Sequence, residues 1–234
     1  MARNTDGIQV GCRARALLAK LPQLVPAVRT FTLVRYVPTP GVEERLQPTS
    51  VAGVSKSSDQ PASYLALLMQ TWSEQKIVSE LARHDDSDES SREFHVPANE
   101  LTADFVDECA QELAVGQALA LSSICTLENG ERAHLPLLDF RPQPSDISLR
   151  MIATACRALR LSDGAILNSG RSYHVYGFFV MSMDAWKNLM IKSILLAPLV
   201  DVRYVAHRLL AGRSVLRITS TDTKPVEPEV VMRL

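Results

Sequence analysis

The sequence predicts an α+β fold in which a mainly antiparallel sheet is flanked by helices, and three observations carry that prediction. Residues 28–37 (VRTFTLVRYV) form a β-rich apolar run bounded by Pro26 and by Pro38, Pro40 and Gly41, which reads as a first core strand. Apolar runs at 118–127 and 132–140 flank Glu128-Asn129-Gly130, and Asn-Gly supplies the positive φ angles that a tight hairpin turn demands. A second strand pair, 165–168 and 173–181, encloses Ser169-Gly170-Arg171-Ser172.

The remaining segments read mostly as helices. Residues 64–83 place Leu65, Leu68, Trp72 and Leu81 near one face. Residues 102–113 begin with Thr102 as N-cap and Asp104 in the first turn. Residues 146–161 show Ile147, Met151, Ala155 and Leu159 at helical spacing behind a cap at Ser145 or Asp146. Helices at 184–196, packing through Trp186, Leu189 and Met190, and at 201–210 precede a strand at 214–219 and a tail strand ending near Met232. Residues 47–61 read as a loop, and the polar run 84–92 (HDDSDESSR) reads as a solvated loop without calcium-site spacing. No repeat is visible. Residues 1–117 are expected to form an N-terminal part packed on a core of residues 118–234, the two making one compact unit.

Composition narrows the class. With 234 residues and 46% hydrophobic content, the chain has enough apolar surface for a substantial core. Cys12, Cys109, Cys125 and Cys156 are scattered without a CxxC pair, which suits reduced, structural thiols. No apolar run has the length of a membrane span, and Arg3, Asp6, Arg13 and Arg15 interrupt the first residues, so the expectation is a cytoplasmic protein with no membrane partner. The net charge of −1 hides an asymmetry. Residues 139–234 hold 13 Lys+Arg against 8 Asp+Glu, leaving 12 against 18 of the chain totals for residues 1–138. A polyanion should therefore meet the C-terminal half.

Four segments there carry candidate chemistry. Leu135-Pro-Leu-Leu-Asp139-Phe-Arg141 ends a strand on a carboxylate, which suits either a hard cation or an Asx turn. Asn168-Ser169-Gly170-Arg171-Ser172-Tyr173-His174 joins a small polar turn to a guanidinium and an imidazole, a set that matches triphosphate oxygens, although a lone histidine there also suits a core. Asp201-Val-Arg203-Tyr-Val-Ala-His207-Arg208 puts Arg203 and His207 on one helical face, with Asp201 a metal ligand or simply the cap. Arg217 and Thr219 share one side of a strand and face a phosphate, a template or solvent.

In this order the segments resemble the archaeo-eukaryotic primase superfamily, with SGRSYHVYG the most specific piece, and they are most similar to its bacterial primase 1D-like group. The resemblance spans residues 135–219. It implies a sheet of the primase-polymerase, RRM-like palm type. It further implies that Asp139 and Asp201 are catalytic ligands of Mg²⁺ or Mn²⁺. By the resemblance Ser172 and His174 are nucleotide-binding and Arg217 matches the Arg that follows; the chemistry of the turn adds Ser169, Gly170 and Arg171 to the nucleotide-binding set with Arg217, and the basic helix offers Arg203, His207 and Arg208 as nucleic-acid-binding. The implied partners are a nucleoside triphosphate and DNA or RNA, with room for a protein partner. One departure stands out, because polymerising members place two carboxylates one residue apart in the first motif and Arg141 takes the second place here. Two-metal phosphoryl transfer needs anionic ligands around both cations, whereas a guanidinium repels them. Three functions follow: a nucleotidyltransferase, a degenerate nucleotide- or nucleic-acid-binding module, and a structural subunit of a larger complex.

Overall fold

Leucines at helical spacing open the fold. In the computed structural model, which describes residues 8–38, 68–69, 72–82 and 91–234 (81 and 82 by backbone alone), Ala14, Leu17, Leu18, Leu21 and Leu24 line the buried face of helix α1 (Ala14–Leu24). Pro22 lies in its last turn and costs the helix one i→i−4 hydrogen bond, close to where the helix ends. A short turn leads into strand β1 (Val28–Tyr36), the expected core strand. The chain divides into two compact units, residues 38–87 and the remainder. In the smaller unit, helix α2 (Glu74–Ala82) contributes Ile77 to a cluster with Leu68 and Trp72. The predicted loop at 47–61, Leu65 and most of 84–92 lie outside the described residues, as does the side chain of Leu81.

In the larger unit, strand β2 (Arg92–Pro97) precedes helix α3 (Ala103–Gln111), whose cap is Thr102: its hydroxyl accepts from the Phe105 N–H at 3.2 Å. Strands β3 (Ala118–Leu127) and β4 (Arg132–His134) form the expected hairpin, with Gly130 at φ +83° in the turn. The second arm then breaks at Pro136, and strand β5 (Leu137–Phe140) passes into a different sheet. Helix α4 (Asp146–Ala158) starts on a Ser145–Ser148 capping box. Its buried face runs through Ser148, Ile152, Ala155 and Cys156, while Ile147 (65%) and Met151 (48%) are exposed, so the apolar stripe expected from spacing is rotated relative to the buried one. Strands β6 (Gly164–Asn168) and β7 (Tyr173–Gly177) follow, then helix α5 (Met183–Ile194) with Trp186, Leu189 and Met190 buried as expected, helix α6 (Val202–Ala211), strand β8 (Val215–Arg217) and strand β9 (Glu229–Arg233).

The α+β expectation holds, with six helices among the described residues and the strands divided between two antiparallel sheets. One sheet runs β2-β1-β3-β4 with β8 also paired to β3; the other runs β5-β7-β6-β9. The alternation of strand side chains separates two cores. Leu137, Leu167 and Tyr176 join the cluster that contains α1 and the first sheet, whereas Leu138, Ile166 and Val175 pack on α4, α5 and α6. Asp139 and His174 share a face with Leu137 and Tyr176 by this period, so they point to the side of the first sheet. Cys109, Cys125 and Cys156 are buried free thiols, and Cys12 is a half-buried one. Among the described residues no helix is long and apolar enough to cross a membrane.

Candidate functional site

Register brings the first two residues together. Asp139 on β5 lies directly opposite His174 on β7, a pairing that sets side chains on one face within about 5 Å. His174 Nε2 stands 3.9 Å from Asp139 Oδ1, too far for a hydrogen bond, and the Ser172 hydroxyl donates to the same oxygen at 3.5 Å. The chain returns to this point at Val200, which bridges to Phe140, and the Asp201 amide donates to the Asp139 carbonyl at 3.4 Å. Asp201 also caps α6, its Oδ1 accepting from the Tyr204 N–H at 3.0 Å. Strand pairing and one helix cap thus gather Asp139, Ser172, His174 and Asp201.

Electrostatics mark this cluster. Burial, and next the neighbouring Asp201 charge, push the Asp139 carboxyl up to about 7, against opposing pulls from Lys224, the Ser172 hydroxyl and Arg217. The side chain is still 27% exposed, so the carboxylate is reachable and water tempers the effect of burial. His174 is 7% exposed; burial first, then Arg217 and Lys224, push it down to about 3, which leaves the imidazole neutral. Its Nδ1 is buried without a hydrogen-bond partner.

The turn at 169–172 is held largely by its own atoms. The Ser169 amide and hydroxyl both donate to the Ser172 carbonyl, at 2.9 and 3.1 Å, and the Gly170 amide donates to Asn168 Oδ1 at 2.8 Å rather than standing open toward a ligand. Gly170 has φ +98°, and a Cβ there would sit 2.9 Å from Val226 Cβ, so both backbone conformation and space require glycine. Arg171 is exposed and donates to the Thr223 carbonyl at 3.4 Å.

Other candidates take different places. Arg217 is buried, and its guanidinium donates to the carbonyls of Ser169, Thr219 and Val226. Thr219 accepts from the Leu119 amide at 3.0 Å. On α6, His207 is buried and Arg203 half-buried, while Arg208 lies 5.5 Å over the Tyr204 ring, so Arg203 and His207 do not form an open basic face. Arg141 is exposed, and its amide donates to the Leu199 carbonyl at 2.8 Å.

Two further residues reach the site without being legible in the motifs. Lys224 lies in a turn closed by reciprocal backbone bonds with Thr221, at 2.9 and 3.1 Å, and its charge acts on both Asp139 and His174. Tyr36, at the end of β1, has its phenol pushed above the ordinary value by burial and lies in the field of Arg217, Arg208 and Asp139. The sequence around Lys224 (TSTDTKP) signals a turn, but only the β8–β9 connection tells where that turn points.

The family model described as AEP-like, archaeo-eukaryotic primase 1D-like, matches residues 97–229, more than half of the chain. The chain belongs to the archaeo-eukaryotic primase 1D-like family. It is therefore primase-polymerase-like at the family level, and the matched span takes in Asp139, the turn, His174, Asp201, Arg217 and Lys224 but not Tyr36. Comparison with curated proteins and with solved structures finds no match to this chain.

The donor set bears on the metal that the family implies. Asp139 and Asp201 form a carboxylate pair whose mutual repulsion a cation would relieve. Among the described residues there is no group of three or more His, Cys, Asp or Glu able to hold a metal ion. Two carboxylates fit one hard cation completed by water or phosphate oxygens, and not a pair of protein-held cations.

Proposed function

We propose that this primase-like protein binds a nucleoside triphosphate together with one divalent cation, Mg²⁺ or Mn²⁺, at Asp139 and Asp201, and uses the complex for nucleotidyl transfer on DNA or RNA. The observation that carries this reading is a partly exposed Asp139 carboxylate set opposite His174 by strand register and joined to Asp201 through the Phe140–Val200 bridge, and the raised Asp139 carboxyl supports it. When bound, the cation would supply Lewis-acid stabilisation of phosphate charge. Asp139 and Asp201 would hold it, and the Ser172 hydroxyl would orient Asp139. Neutral His174 can donate to a phosphate oxygen from one ring nitrogen. Arg171 and Lys224 add positive charge from two separate loops. Arg203 and Arg208, both half-buried on α6 in the positively charged C-terminal half, would meet a nucleic-acid backbone.

A second reading, binding without transfer, is favoured by Arg141 two residues after Asp139. A guanidinium 4 Å from a cation would oppose it by about 4 kcal/mol per elementary charge at an effective dielectric near 20, or about 8 kcal/mol for a divalent ion. Incorporation of labelled nucleotides on primed and unprimed templates with Mn²⁺ separates the two. Transfer that disappears in Asp139→Asn supports the first reading; tight triphosphate binding with no transfer, and a gain of cation binding in Arg141→Asp, supports the second.

A further inference from the structure

Arg217 sits where a phosphate ligand is expected, yet its hydrogen bonds are turned inward. It is 4% exposed. Nη1 donates to the Thr219 carbonyl and, at 3.0 Å, to the Val226 carbonyl, while Nη2 donates to the Ser169 carbonyl at 3.0 Å. The remaining Nε is buried without a partner. These acceptors belong to three segments: the turn after β6, the chain just beyond β8, and the return of the β8–β9 loop. Two of the five N–H groups, that of Nε and one of Nη2, make none of these bonds, but the residue is too buried for a phosphate to reach them unless the surrounding chain moves.

We propose that Arg217 is a positioning residue that fastens the 169–172 turn to the 219–227 loop and so fixes the separation of Arg171 and Lys224 across a bound triphosphate. Several contacts converge on this junction. Gly170 packs against Val226 with no room for a Cβ, and Arg171 donates to the Thr223 carbonyl at 3.4 Å. Arg217's own carbonyl accepts from the Tyr176 hydroxyl at 3.3 Å, which ties the donor of the clamp to β7. At the loop's far end Glu227 accepts from Arg15 Nε and Nη2 at 3.1 and 3.0 Å. The loop is thus held at its base, and its tip closes on the Thr221–Lys224 bonds that present Lys224. A planar guanidinium reaches three divergent carbonyls because its donors lie at the corners of a rigid fork; a lysine ammonium is a single point and cannot span them.

The proposal rests on the triphosphate reading, and its test keeps the two separable. Hydrogen exchange of the unliganded full chain should speed at least tenfold at the amides of Ser169, Thr221 and Lys224 in Arg217→Gln and in Arg217→Lys, with α4 and α5 unchanged. Titration with a non-hydrolysable nucleoside triphosphate and with the matching monophosphate should show affinity for the triphosphate falling tenfold or more in both variants, while that for the monophosphate stays within twofold. A direct phosphate ligand behaves otherwise: the lysine variant keeps its triphosphate affinity and exchange is unchanged, and either result overturns the proposal. Equal loss for both nucleotides points to a merely structural role and also overturns it. If Arg217→Gln does not fold, Arg217→Lys carries the same comparison. Failure of the unaltered chain to bind triphosphate sinks the nucleotide reading, while the exchange arm alone still decides whether Arg217 clamps the junction.

Discussion

His134 and His174 are both buried histidines that burial holds neutral, with pKa values pushed down to about 4 and about 3, and each keeps one ring nitrogen without a partner. Their surroundings are what differ. His134 stacks on Trp186 at 4.9 Å, shares a 3.1 Å hydrogen bond with Ser123, and belongs to a closed polar knot in which Ser214 joins Ser123 to the indole N–H. His174 faces a carboxylate that is partly open to water and lies in the field of Arg217 and Lys224. A perturbed histidine is therefore no marker of a site by itself. A reachable carboxylate beside a second one, with cations on two neighbouring connections, is the better marker.

The sharpest way to break that contrast is at the closed knot. Trp186→Ala removes a fully buried indole and should destabilise the chain by about 3–5 kcal/mol. Thermal unfolding measures the loss, and the triphosphate affinity of the folded fraction should stay unchanged, because the knot serves packing alone. A drop in affinity would mean that the two histidine regions are coupled.

Asp139→Asn should do the reverse. Removing a partly buried charge that repels Asp201 leaves the protein as stable or more so, while cation-dependent triphosphate affinity falls by about 100-fold, or roughly 2.7 kcal/mol. Chemical denaturation and binding, measured on the same preparation, check both halves.

The same substitution sharpens the comparison through pH. Between pH 6.5 and about 4 the unfolded chain protonates both histidines while the folded chain does not, so each removes stability as the pH falls. Asp139 acts oppositely. Raised from 3.8 to about 7, it is protonated in the folded chain and ionised in the unfolded one across this window, so its contribution grows on acidification and is lost as pH rises through 7. Near pH 5 the unfolded state thus holds a net excess of one proton from these three groups, and of two in Asp139→Asn. The stability slope from them should steepen from about 1.4 to about 2.7 kcal/mol per pH unit, which urea unfolding at several pH values can read. The smallest effect belongs to the periphery. Thr102→Ala removes the α3 cap and should cost about 1 kcal/mol in the same assay, with nucleotide binding untouched.

Particular residues show what was legible in the sequence. The Asn129-Gly130 hairpin, the Thr102 and Ser145 caps and the Trp186 face follow from local chemistry, and the structure carries all of them. Helix α1 was hidden because Pro22 stands inside it and Pro26 just beyond, whereas its buried leucines supply the stability that local propensity lacks. Strand β2 was hidden because its face is mostly exposed and polar, and pairing with β1 alone defines it. The split of the second hairpin arm at Pro136 is a property of two sheets and not of one segment. At the site, Asp139, His174 and Asp201 were legible as types in an order, but their meeting depends on the Asp139–His174 register and the Phe140–Val200 bridge. Arg217 was legible as a cation and not as a clamp, since three carbonyls distant in sequence set its role. Lys224 and Tyr36 come from segments with no motif at all.

In the proposed function Asp139 and Asp201 hold one cation on which triphosphate binding depends. Calorimetric titration of the full chain with a non-hydrolysable nucleoside triphosphate, first with Mn²⁺ and then with chelator, tests it most directly. Binding with Mn²⁺ should weaken at least tenfold on chelation and by about 100-fold in Asp139→Asn. Binding of equal strength with chelator would contradict it.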